Sequence, residues 1–213
     1  MKATRTGAVI VRWVARAISA IIHPVVVPLA TLGILTYLAH GSLTDAARLV
    51  VVAVAIGIVP IGVLVLVQVA RGQWTDMDVS VRRQRYILYP LGIACMLAAV
   101  FSFVELGAPS TAIRAAVGLV AANVLNSLIN FGYKVSAHAT TAALCAAVLW
   151  LATPVSLIGV AAAAAALLVG WSRVALGRHT GGQVVLGWAV GLICGAVAML
   201  APWPLVVPAR LMF

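Results

Sequence analysis

The residues able to do chemistry in this 213-residue chain gather in three connections, 71–86, 131–138 and 171–183, and two short stretches in the last two stand out. The first, Lys134-Val-Ser136-Ala-His138, runs directly into an apolar segment that begins at 139. Ser136 stands where a helix N-cap would, so the first backbone N–H groups and the positive helix end gather beside it. Such a place suits an anion, and Lys134 adds a full charge. The plainer alternative is a capped helix with an interfacial lysine and a satisfied histidine. The second stretch is Ser172-Arg173-Val-Ala-Leu-Gly-Arg-His179-Thr-Gly-Gly-Gln183. Arg173 offers a planar fork of donors for phosphate oxygens. His179 and Gln183 are spaced i,i+4 and share a face on a helix. The Gln183 amide could then accept from one ring nitrogen of His179 and leave the other free to attack. The alternative here is a polar helix boundary with snorkelling arginines.

The elements that hold these residues must lie in a membrane. Hydrophobic residues make up 64% of the chain and charged ones only 8%, against about 25% in a soluble domain. Too few charges remain to cover a globular surface in water, so the outside faces lipid. The net charge of +10 raises the question of nucleic acid. The basic residues interrupt apolar helices instead of forming a soluble basic face, which excludes that class. The expected partners are the bilayer, with its anionic headgroups, and an anionic lipid substrate; the oligomeric state is left open. Cys95, Cys145 and Cys194 each fall inside an apolar run and read as small buried hydrophobes. Lys2, Arg5, Arg12 and Arg16 precede an apolar stretch without a clean cleavage site after it, which favours an ordinary first span over a signal peptide.

The expected fold is all-α: one domain over 1–213, an integral membrane bundle of six or seven transmembrane helices. A span needs roughly 20 mostly apolar residues, and candidates lie near 17–39, 48–70, 87–106, 111–131, 139–153, 155–172 and 183–201. Pro24 and Pro28 are expected to kink the first. Thr153-Pro154 suits a tight turn, and the small residues 161–166 allow close helix approach. With seven spans, the polar connections 71–86, 131–138 and 171–183 share one face with the N-terminus. That face carries 11 Lys and Arg and the other 3, so the positive-inside rule makes it cytoplasmic, in the cell membrane. His23 and His40 read as packed or interfacial residues, and Trp74, Trp171 and Trp203 as interfacial anchors.

Together the two chemical stretches resemble the type-2 phosphatidic acid phosphatase superfamily. The resemblance rests on Ser136-Ala-His138 against a Pro-Ser-Gly-His element, and on Ser172-Arg173, five residues, then His179 against a Ser-Arg-x5-His element. It implies His179 as the nucleophile that forms a phosphohistidine and His138 as the general acid. Arg173 and Ser136 would hold phosphate oxygens. No metal and no cofactor are expected, since four acidic residues are too few and scattered for a hard-cation cage.

The chain departs from that pattern. Gln183 replaces the usual acidic residue four after the nucleophile; a similar His-Thr-x-x-Gln arrangement in dolichyl diphosphatases directs the substrate expectation to polyprenyl phosphates. Val135 replaces proline. The family's first motif, a lysine seven residues before Arg-Pro, is missing. Arg82 or Arg85 could supply that arginine, with Asp76 and Asp78 orienting them, and Lys134 could replace the lysine. The alternative for 76–85 is a solvated, membrane-anchoring charged loop. The expected function is a metal-independent hydrolase of a lipid phosphate or diphosphate, with a polyprenyl (di)phosphate preferred. The alternatives are a phosphatidic acid-type phosphatase or phosphotransferase and, outside enzymes, an inactive transporter or lipid-binding scaffold.

Overall fold

The computed structural model describes residues 2–202 apart from 78, 80, 154 and 155; side chains at 2–6, 8, 82, 85 and 156 are also outside the description. The fold is helical throughout the described residues. The helices are α1 Lys2–Ile21, α2 Val26–His40, α3 Leu43–Val52, α4 Val59–Ala70, α5 Arg85–Glu105, α6 Ser110–Gly132, α7 Ala137–Ala152, α8 Ser156–Ala175 and α9 Gly181–Leu200. A π-helical turn, Ala53–Ile58, joins α3 to α4 in one apolar stretch of 28 residues.

Among the described residues, five stretches are long and apolar enough to cross a membrane: Leu43–Ala70, Tyr86–Glu105, Ser110–Gly132, Leu157–Ala175 and Gly181–Leu200. The expected first span differs from a single kinked helix. Its residues are divided between α1 and α2, bent by 46° at the break. Pro24 has no N–H for the ladder and disfavours helical backbone at His23, so the chain turns there. Pro28 sits in the first turn of α2, where a missing N–H costs nothing, and adds no second break. Counting the bent pair as one span gives six. The remaining expected segment, 139–153, is α7, which has 16 residues, about 24 Å at 1.5 Å each, short of the roughly 30 Å hydrocarbon layer.

That short helix is the centre of the bundle. It packs on α9, α8, α2 and α6, and Leu144, Val148 and Leu149 join Leu32, Leu35, Phe103, Ile113 and Val190 in the main core. Its closest neighbour is α9, which presents Gly187, Gly191 and Gly195 at four-residue spacing. A Cβ at Gly187 would stand 2.8 Å from the Ser136 carbonyl oxygen, and one at Gly195 2.9 Å from that of Leu144. A Cβ at Gly191 would collide with the Thr140 carbonyl oxygen. Only hydrogen at these positions lets the two backbones touch. The alanines at 162 and 166 of α8 pack on Ala142, Ala146 and Ile22 instead. Cys95, Cys145 and Cys194 are buried free thiols.

Candidate active site

The α7–α9 contact brings the two chemical stretches together. Ser136 caps α7, its hydroxyl accepting the Ala139 N–H at 3.4 Å. The Ser136 N–H donates to the Gln183 carbonyl at 3.3 Å, so the first turns of α7 and α9 lie side by side. Lys134 Nζ donates to the Arg178 carbonyl at 3.0 Å and ties the connection before α7 to the one after α8. Two helix N-termini thus meet at one place, where their dipoles favour negative charge.

After α8 the chain folds back on itself. Gly177 takes φ +66°, a left-handed turn open to glycine. The N–H groups of Arg178 and His179 both donate to the Arg173 carbonyl, at 3.0 and 3.3 Å. This turn fixes His179 against the last helical arginine. Thr180 then caps α9 in a capping box with Gln183. Gln183 Oε1 accepts the Thr180 N–H at 3.2 Å and lies 3.1 Å from His179 Nδ1. A backbone N–H can only donate, so the amide presents oxygen there. Nδ1 of His179 must then carry the proton.

Beside this turn opens a cavity of about 680 Å³, lined by Arg12, Arg16, Ser19, Ala20, His23, His138, Arg173, Leu176 and Arg178. Arg173 is buried and its Nη1 donates to the Ser19 hydroxyl of α1 at 2.8 Å. The His138 ring meets the ring of His23 edge to face, centroids 5.2 Å apart. Nδ1 of His23 accepts the Val25 N–H at 3.2 Å, so the neutral ring carries its proton on Nε2.

The structure therefore places His138 and Arg173 on one cavity wall. His179 is buried, its backbone N–H donating to the Arg173 carbonyl, and is not itself a lining residue. Ser136 is fully buried with its hydroxyl facing the α7 backbone. Lys134 braces Arg178 outside the lining. Asp76 accepts from the Thr75 hydroxyl at 3.0 Å in the α4–α5 connection and does not line the cavity. Asp78 and the side chains of Arg82 and Arg85 lie outside the described residues. Among the described residues, no three His, Cys, Asp or Glu side chains gather as a metal cage.

Sequence reasoning missed the whole α1 contribution: Arg12, Arg16, Ser19 and His23, together with Arg178. The signal was present as spacing, since 12, 16, 19 and 23 follow an i, i+4, i+7, i+11 stripe on one helical face.

Residues 118–206 match the family model of the PAP2 superfamily. This region, most of α6 with α7 to α9, belongs to the type-2 phosphatidic acid phosphatase superfamily. It holds both chemical stretches, and its members are phosphatases. The chain matches no curated protein and no solved structure. In the PAP2 region, α7 and α9 supply the two histidines and α8 the arginine, while the α1 wall of the cavity comes from outside it.

Proposed function

We propose that the protein is a metal-independent membrane phosphatase that hydrolyses a lipid phosphate or diphosphate, with a polyprenyl (di)phosphate as the preferred substrate. The observation that carries this reading is the Thr180–Gln183–His179 linkage, which sets the proton on Nδ1 and so supports Nε2 as the attacking atom. The Nε2 lone pair attacks phosphorus in line, forming an N–P bond as the ester O–P bond breaks. His138 gives its proton to the departing oxygen. A water then attacks the phosphohistidine, passing a proton to His138 as the N–P bond breaks, and inorganic phosphate leaves.

Arg173 neutralises the equatorial oxygens, and the N-termini of α7 and α9 add their dipoles; positioning and charge stabilisation dominate phosphoryl transfer. Ser136 contributes through the α7 cap, and Lys134 by holding Arg178 in place. Arg82 and Arg85, oriented by Asp76 and Asp78, remain candidate contacts to the headgroup from the α4–α5 connection. The lipid tail stays in the bilayer beside the apolar helix faces. The excess of cations around the site supports a cytoplasmic active face in the cell membrane.

The test is phosphate release by detergent-solubilised protein from a panel of lipid phosphates, with EDTA present. Activity should persist in EDTA and fall with vanadate, which mimics the pentacoordinate transition state. Loss in EDTA that Mg²⁺ restores would overturn the mechanism, and no release from any lipid phosphate would overturn the function.

A further inference from the structure

Helix α1 is amphipathic in an unusual sense for a membrane protein. Val9, Ile10, Trp13 and Val14 are exposed, as a lipid-facing surface requires. Arg12 and Arg16, themselves exposed, line the cavity together with Ser19 and His23. Ionisable residues turned into a cavity on an otherwise apolar helix of a membrane protein default to function. Two arginines one turn apart point to a ligand that repays both.

The composition of the cavity says which ligand. Four arginines line it, Arg12, Arg16, Arg173 and Arg178, with no carboxylate among the described lining residues. A phosphate monoester carries about −1.5 to −2, less than four guanidinium groups can neutralise. The volume of about 680 Å³ lies in the middle of the roughly 300–1,000 Å³ range of small-molecule sites, with room for more than one phosphoryl group. Ser19 holds Arg173 at 2.8 Å, so the α1 stripe is continuous with the arginine beside His179.

We propose, on the basis of the phosphatase reading above, that Arg12 and Arg16 form a second phosphoryl subsite and make the enzyme selective for a lipid diphosphate over the monophosphate. The terminal phosphoryl group sits at Arg173 and His179. The inner one, which leaves with the lipid, rests against the α1 arginines, whose forks match its oxygens. On cleavage of the bridging O–P bond, the bridging oxygen remains on the inner phosphoryl group as part of a lipid monophosphate. Arg12 and Arg16 stabilise the charge that develops there.

The experiment compares kcat/KM for the diphosphate and monophosphate of one prenyl alcohol in nanodiscs of zwitterionic lipid. The unsubstituted protein should prefer the diphosphate, and R12Q/R16Q should lower the diphosphate-to-monophosphate ratio at least tenfold. Arg16 also lies over the Trp13 ring at 5.6 Å, so R12Q alone, which leaves that contact intact, is the second variant and should lower the ratio in the same direction. An unchanged ratio in both variants overturns the subsite while leaving the phosphatase reading intact. An equal fall for both substrates also overturns it, and assigns the stripe to general attraction of anionic headgroups. Should the unsubstituted protein hydrolyse neither compound, the phosphatase reading fails. The subsite is then decided by binding of a methylene-bridged diphosphonate lipid against its monophosphonate. Tighter diphosphonate binding that R12Q/R16Q abolishes sustains it, and equal binding ends it.

Discussion

Gln183 reaches His179 through an oxygen that is already committed to the backbone. Oε1 lies 3.1 Å from His179 Nδ1 and 3.2 Å from the Thr180 nitrogen, inside the capping box that starts α9. A neutral amide thus does the orienting work of a carboxylate because the helix cap prevents it from flipping. It lacks the charge that would stabilise an imidazolium, a difference that fits a site already rich in arginine.

This relationship predicts a graded series at position 183. Gln183→Glu keeps an acceptor and a capping box, so activity should be retained or raised. Gln183→Leu removes both, and should lower kcat at least about tenfold, the scale on which histidine-orienting partners act. Steady-state phosphate release on both variants checks it. If Gln183→Leu behaves like the parent, His179 is not oriented from this position.

Much of the fold and part of the site were legible in the sequence. Apolar runs located the spans, because a bilayer demands length and composition that nothing else demands. His138, Arg173, His179 and Gln183 stood out because polar residues are rare in such helices. The α1 wall did not, because Arg12 and Arg16 also fit the ordinary role of flanking cations. Taking Arg12, Arg16, Arg173 and Arg178 away from the 11 cations leaves 7 against 3, a division that holds only for seven spans, one more than the six counted in the fold. The Gly187–Gly191–Gly195 stripe is equally readable, but so is the alanine run at 161–166, whose Ala162 and Ala166 pack another face of α7. Small residues show that something comes close, and only the fold shows what.

The glycine stripe carries a stability prediction. Gly191→Ala gains about 1 kcal/mol of helix propensity, but its methyl meets the Thr140 carbonyl, part of a backbone that cannot rotate away. Overpacking of this kind costs about 1–3 kcal/mol or more, so the clash should win. Gly62→Ala in α4, where a Cβ meets nothing within 4 Å, should cost nothing. Thermal unfolding in detergent should show a lower midpoint for Gly191→Ala only. Equal midpoints would mean that the α7–α9 contact is looser than described.

The last prediction concerns His138, which lines the cavity beside His23, whereas His179 is not among the lining residues. If His138 is the general acid, its value depends on the leaving group. An alkyl phosphate expels a strongly basic oxygen, so His138→Ala should lose about 10² to 10⁴ in rate. A lipid diphosphate expels a phosphate monoester, whose second pKa is about 6, and an aryl phosphate expels a phenol, with a pKa of about 10 as in tyrosine. Both should lose less, the diphosphate least, because they depart with little or no proton. His179→Ala, by contrast, removes the nucleophile and should abolish all three, along with any acid-labile phosphoenzyme trapped from labelled substrate. Single-turnover rates on the three substrates separate the roles. A His138→Ala loss that is the same for all three would mean that His138 positions phosphate and does not move the proton.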